Sequence, residues 1–182
     1  MSHGTTGTSP AVSPEDLLAL VRDVPDHPQP GVVFKDLTPL FADPSAFKRA
    51  VDLIAHGRVD VTKVVGVEAR GFLLAAPVAY LLGAGVVPVR KPGKLPGPVH
   101  ERSYDLEYGS NTLQVLQDAF IPGDRVLVVD DVLATGGTAA AAVHLVERCG
   151  AEVVGTAFLL ELGFLDGRAA LPGVDVQAVL RV

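Results

Sequence analysis

Apolar positions in this chain recur at two spacings, and the alternation between them predicts the order of elements. Near-continuous Val and Leu runs fill residues 63–69 (KVVGVEA), 85–91 (GVVPVRK), 126–131 (VLVVDD) and 152–162 (EVVGTAFLLEL). Runs of this length, apolar on both faces, predict strands buried inside a parallel sheet. Residues 71–83 (GFLLAAPVAYLLG) and 138–150 (TAAAAVHLVERCG) predict helices, as crossovers between parallel strands require. The expectation is an α/β fold: a single doubly wound, mostly parallel sheet covered on both faces. Residues 111–118 (NTLQVLQD) break the pattern, because polar and apolar positions alternate there and only a short AFIPGDR connection follows. They predict an antiparallel excursion.

The first third of the chain reads differently. Residues 13–24 (SPEDLLALVRDV) predict a helix, with Ser13 as N-cap, Pro14 at the first helical position and Leu17, Leu18 and Val21 on one face. The prolines of residues 25–41 (PDHPQPGVVFKDLTPLF) argue against a helix and for a loop followed by a short extended piece. Residues 43–57 (DPSAFKRAVDLIAHG) restart a helix at Asp-Pro, with Phe47, Val51 and Ile54 at helical spacing. Residues 1–12, rich in Ser, Thr, Gly and Pro, are expected to form a disordered tail before one domain spanning 13–182. The segment from about 92 to 110 is long for a loop in a compact domain, which suggests a lid or disorder.

Composition narrows the functional classes. With 182 residues, 48% hydrophobic and 20% charged, the chain has material for one sizeable core. No run approaches the roughly 18 apolar residues that cross a bilayer, and the N-terminus lacks a basic-then-apolar leader. A cytoplasmic location without membrane partners is therefore expected. The single Cys149 cannot form an intrachain disulfide, and in a helical pattern it reads as a packing residue. The histidines lack metal-ligand spacing and no Cys/His cluster suggests zinc, so no protein-held metal site is expected. A formal charge of −6 argues against nucleic-acid binding, which needs a basic surface. A small anionic ligand would need a local basic patch, and residues 89–102 (VRKPGKLPGPVHER) supply one in Arg90, Lys91, Lys94 and Arg102.

Candidate chemistry concentrates in VLVVDDVLATGGT, where a strand gives way to a helix. Ligands of open α/β sheets sit beyond the carboxyl ends of strands, which is where residues 130–138 fall. Gly136 and Gly137 permit a tight turn, Thr135 and Thr138 supply hydroxyls, and the amides opening the next helix favour an anion. A helix N-terminus contributes typically about 0.3–1 kcal/mol to a nearby negative charge. Two carboxylates just ahead of a phosphate cradle would repel a triphosphate. A ribose 5-phosphate suits both ends: hydroxyls for Asp130 and Asp131, phosphate for the amides of Ala134 to Thr138. Neither G-x-x-x-x-G-K-[ST] nor G-x-G-x-x-G occurs, which disfavours P-loop and dinucleotide readings.

The same segment resembles the phosphoribosyl pyrophosphate signature of type I phosphoribosyltransferases, and about residues 13–165 look like the adenine-specific members of that family. Further matches, in the family's order and spacing, are PGVVFKDLTPLF, VVGVEARGFLLAAPVA, VPVRKPGKLPG and SYDLEYG. The resemblance implies the type I phosphoribosyltransferase fold with a flexible hood or lid. It implies the purine-salvage reaction of adenine and phosphoribosyl pyrophosphate to AMP and pyrophosphate, with substrate-associated Mg2+ and a homodimer. Two rivals are a transferase for another base and a non-catalytic sensor of phosphoribosyl pyrophosphate. Ala134 speaks against a 6-oxopurine enzyme, which carries an aspartate base at that position. A regulatory sensor would need a DNA-binding module, for which the residues before the first helix leave little room.

Residue by residue, the resemblance casts Glu68 to Gly71 as a pyrophosphate loop, with Glu68, Ala69 and Arg70 on the pyrophosphate and a cis peptide at Glu68-Ala69. Arg70 becomes a catalytic cation near base and leaving group, while Arg90, Lys91 and Lys94 neutralise pyrophosphate oxygens. The lid carries Glu107, which would move the purine proton as a general acid–base, with Tyr104 and Tyr108 on either side. The adenine segment is Val33, through its backbone, with Phe34 as an aromatic wall and Lys35. Lysine stands there where arginine is the more familiar residue, and it neither stacks nor forks as arginine does.

Overall fold

A capping box sets the first helix: Ser13 Oγ accepts the Asp16 amide at 3.2 Å, and the Asp16 carboxylate accepts the Ser13 amide at 2.9 Å. In this computed structural model residues 12–105 and 110–182 are described; residues 1–11 and 106–109, with Glu107 and Tyr108, lie outside the described residues. The expected N-terminal tail falls almost wholly outside them too. Helix α1 (Pro14–Ala19) is shorter than its sequence pattern predicts, because the chain leaves it for strand β1 (Arg22–Pro25). That strand pairs antiparallel with β2 (Val33–Asp36). Ion pairs Arg22–Asp36 at 2.5 Å and Lys35–Asp23 at 2.6 Å cross the two strands, the kind of pairing that supports an exposed ribbon.

A short helix α2 (Thr38–Ala42) follows, which the sequence reading took as extended or loop. Pro39 sits in its first turn, where its missing N–H is tolerated, and Asp36 accepts the Thr38 amide at 2.9 Å. Helix α3 (Pro44–Ala55) opens as the Asp-Pro signal predicts: Asp43 accepts the Ser45 and Ala46 amides at 2.9 and 2.8 Å. The chain divides into two compact units, one ending at Ala50 and one running from Val51 to Val182, where the sequence reading expects one domain from 13 onward.

The second unit holds the sheet. Its elements are β3 (Lys63–Val67), α4 (Gly71–Leu82), β4 (Gly85–Val89), β5 (Val99–Asp105), β6 (Ser110–Leu116), β7 (Arg125–Leu133), α5 (Gly137–Arg148), β8 (Glu152–Glu161) and β9 (Val176–Arg181). Five strands pair in the order β4-β3-β7-β8-β9, every pair parallel. Val65, Val126, Val128 and Phe158 from the sheet form one apolar core with Ala139, Ala142, Leu145 and Val146 of α5. Fully burying a side chain such as Phe158 or Leu145 contributes about 1.5–3 kcal/mol. Small residues bring α4 close to the sheet: a Cβ on Gly66 would lie 2.8 Å from Ala75 Cβ.

One expectation needs correction. The 92–110 segment is not a loop throughout, because β5 pairs antiparallel with β6 from Val99↔Leu116 to Asp105↔Ser110. Leu113 and Val115 of β6 are buried in the core, which gives this ribbon an apolar face to settle on. The parallel sheet is as expected, and β1–β2 and β5–β6 form additional two-stranded sheets, the second of them the antiparallel excursion. The fifth parallel strand, β9, follows two 3-10 turns, Gly163–Leu165 and Gly167–Ala170, in a stretch the sequence reading left unassigned. Among the described residues no helix is long and apolar enough to cross a membrane.

Candidate active site

Strand β7 delivers two acids to the carboxyl end of the parallel sheet, and the chain there turns directly into α5. Asp130 pairs with Phe158 of β8 in register, and its Oδ1 accepts the Asp131 amide at 2.9 Å. Asp131 is only 6% exposed, and the Arg70 Nε lies 2.7 Å from its Oδ2. Burial raises the pKa of both acids. At Asp130 burial, and after it the neighbouring Asp131 charge, carries the value well above the usual carboxylate range, while Arg70 opposes the rise at Asp131.

Beyond the acids, the loop passes through Gly136 at φ 84°, a conformation open to glycine, and enters α5 at Gly137. The first amides of α5 have no carbonyl one turn back and face outward from the helix start. Asp130, Leu133, Ala134, Thr135, Gly136 and Thr138, with Phe158, help line a pocket of about 280 Å³. Thr138 Oγ1 donates to the Tyr104 hydroxyl at 3.0 Å, which ties β5 to this loop.

The second half of the site comes from the ends of β3 and β4. The Glu68-Ala69 peptide is cis, as the sequence resemblance implies. The Glu68 amide donates to Val89 O at 3.0 Å, so the turn after β3 is fastened to β4. The Glu68 carboxylate accepts the Lys91 amide at 2.9 Å and lies 3.3 Å from Arg90 Nε. The Lys91 amide, then Arg90, hold its pKa below the ordinary value. Glu68 thus orients the basic segment. The Arg90 guanidinium stands 5.9 Å above the centre of the Phe72 ring and donates to Lys94 O at 3.1 Å. Lys91 and Lys94 are exposed.

Gly71 joins the halves. A Cβ there would lie 2.8 Å from Asp130 Oδ1 and 3.0 Å from Val129 O, so only glycine lets the start of α4 lie against the tip of β7. The structure therefore brings together Glu68, Ala69, Arg70, Arg90, Lys91 and the 130–138 segment, with Lys94 and Tyr104 attached by hydrogen bonds. Val33, Phe34 and Lys35 belong to β2 in the first unit. There Val33 is 50% exposed, Phe34 meets the His27 ring edge-on at 5.1 Å, and Lys35 is bound to Asp23. Phe72, the Tyr104–Thr138 link and the close approach of Gly71 to β7 are not legible in the sequence. Gly71 ends the pyrophosphate loop and opens α4, and that position is the available signal for its close approach.

Residues 42–171 match the phosphoribosyl transferase domain family. The chain is also 59% identical over 177 residues to the adenine phosphoribosyltransferase of Acidothermus cellulolyticus, covering 95% of this chain and 99% of that one. This chain belongs to the adenine phosphoribosyltransferases. Its fold agrees with the crystal structure of that enzyme from Thermoanaerobacter pseudethanolicus at a TM-score of 0.90 and 44% identity, covering 93% of this chain and 100% of the other. A Trypanosoma brucei adenine phosphoribosyl transferase, solved in complex with AMP, pyrophosphate and ribose 5-phosphate, superposes at a TM-score of 0.85 and 26% identity, covering 97% and 81%. The enzyme is a pentosyltransferase that forms AMP from adenine and phosphoribosyl pyrophosphate.

Proposed function

We propose that the enzyme holds its sugar substrate in two parts, with Asp130 and Asp131 on the ribose hydroxyls, Ala134, Thr135, Gly136, Gly137 and Thr138 on the 5′-phosphate, and the pyrophosphate between Glu68–Arg70 and the Arg90–Lys94 segment. The observation that carries this reading is the buried acid pair at the end of β7, directly ahead of the α5 N-terminus. A sugar supplies hydroxyl donors to carboxylates and an anion to helix amides within one small molecule. The ligands of the Trypanosoma brucei enzyme, ribose 5-phosphate and pyrophosphate among them, support the same division.

Departure of pyrophosphate leaves positive character on the sugar and negative charge on the leaving group. Arg70, Arg90, Lys91 and Lys94 stabilise the latter as it develops. Mg2+ bound with the pyrophosphate would supply further positive charge to the leaving group and, as a hard cation that keeps its waters, would need few protein ligands. Among the described residues no group of three or more His, Cys, Asp or Glu side chains is placed to hold a metal ion. Val33 and Phe34 receive adenine, the first through its backbone and the second as an aromatic wall. Lys35 belongs to the same segment, its ammonium held by Asp23 at 2.6 Å. Glu107, flanked in the sequence by Tyr104 and Tyr108, moves the purine ring proton.

The working form is a homodimer in the cytoplasm. The outer side of α4 and the edge strand β4 favour self-association, with Leu73, Tyr80, Leu81 and Val86 all exposed. Calorimetric titration of ribose 5-phosphate and of magnesium pyrophosphate, each alone, tests the two-part site. Asp130→Asn and Asp131→Asn are expected to weaken the sugar phosphate and spare pyrophosphate, and Arg90→Met the reverse. Unchanged sugar-phosphate affinity in both Asn variants would return the acid pair to a structural role.

A further inference from the structure

The phosphate loop has a wall behind it that no motif marks. Gly167, in the second 3-10 turn, is buried with its backbone pressed against the loop: a Cβ on Gly167 would collide with Ala134 O, and a Cβ on Gly136 would collide with Gly167 O. Gly136 is therefore required by the Gly167 backbone, and Gly167 by the backbone of Ala134. The Leu162 amide adds a tie, donating to Leu133 O at 2.9 Å.

What holds Gly167 in place is its neighbour. Arg168 donates from Nε to Glu161 Oε1 at 2.9 Å and from Nη2 to Oε2 at 2.7 Å, a two-pronged fork, while its Nη1 donates to Val176 O at 2.8 Å. Glu161 is the last residue of β8, 2% exposed and in register with Leu133 of β7. The fork thus runs from the strand beside the substrate strand to the turn that backs the loop. A planar guanidinium with a buried carboxylate fixes direction as well as distance.

We propose that Glu161 and Arg168 are positioning residues for 5′-phosphate binding, acting through Gly167 to set where the Ala134–Thr138 amides stand. The proposal rests on the reading that this loop takes the phosphate. Amides that must meet phosphate oxygens at hydrogen-bond distance tolerate little displacement, so a loosened wall should be felt first in the sugar phosphate.

The test titrates ribose 5-phosphate and magnesium pyrophosphate separately into Arg168→Lys, Gly167→Ala and the control Thr138→Val. Lysine keeps the charge on Glu161 and loses the fork, while alanine pushes on Ala134 O directly. Both are expected to raise the Kd for ribose 5-phosphate about tenfold, the low end of what loss of a supporting partner costs at metal-ligating residues, with pyrophosphate within about twofold. A general loss of structure would move both ligands together. Should Arg168→Lys fail to fold, the double variant Glu161→Gln/Arg168→Met removes the charges as a pair, and the same selective loss is expected. Thr138→Val weakening ribose 5-phosphate while Gly167→Ala and the folded fork variant leave it unchanged overturns the proposal. Thr138→Val without effect would instead contradict the reading of the loop as the phosphate site.

Discussion

On the proposed reading Asp130 and Asp131 accept sugar hydroxyls, a task for ionised carboxylates, yet burial raises both pKa values and the neighbouring Asp131 charge raises that of Asp130 further. The folded protein therefore binds protons that the unfolded chain releases. For these two groups stability is greatest at low pH and declines as pH rises from the ordinary carboxylate range towards the raised values. Ribose hydroxyls favour the ionised pair, so ribose 5-phosphate uptake within that window should expel protons. Calorimetry in two buffers of different ionisation enthalpy is expected to show release, abolished in Asp130→Asn; equal heats in both buffers would contradict it. Glu107 is testable by turnover. Glu107→Gln is expected to bind both substrates and lose roughly 10²–10⁴ in single-turnover AMP formation, the usual span for one acid–base group. A rate within about threefold of the parent, far short of that span, would leave Arg70 and the pyrophosphate residues as the source of acceleration.

Among elements, those that build the site were the most legible. Residues 63–67, 126–131 and 152–161 are apolar on both faces because they are interior parallel strands, and their hydrophobicity alone exposes them. The missed elements have weaker signals: β1 and β9 mix polar with apolar residues, and α2 is five residues long with proline in its first turn. Residues 99–105 read as loop because of the Gly and Pro before them, whereas pairing with β6 makes them strand. The acids, glycines and threonines of the site were legible as chemistry, but contacts made across elements were not. Gly71 is such a case. Gly71→Ala sets a methyl group against Asp130 Oδ1 at 2.8 Å, and overpacking of this kind costs typically 1–3 kcal/mol. The expected outcome is a lower melting temperature together with weaker ribose 5-phosphate binding. Normal sugar-phosphate affinity in Gly71→Ala would show that the α4 start does not set the acids.

For the whole molecule, a formal charge of −6 and an anionic substrate are reconciled locally, because Arg70, Arg90, Lys91 and Lys94 gather at the strand ends. The exposed apolar face of α4 bears on assembly. Leu81→Glu places a charge on that face and is expected to shift sedimentation from dimer to monomer, with the melting curve showing a folded chain. A variant that sediments like the parent would move the interface elsewhere. Base choice tests the enzyme most directly, since Ala134 stands where a 6-oxopurine enzyme would carry its aspartate. The decisive measurement is kcat/KM for adenine, hypoxanthine and guanine at saturating phosphoribosyl pyrophosphate. Adenine is expected to lead by at least about 100-fold, as a pocket that reads hydrogen-bonding groups rejects analogues lacking them. Hypoxanthine or guanine matching adenine would contradict the assignment.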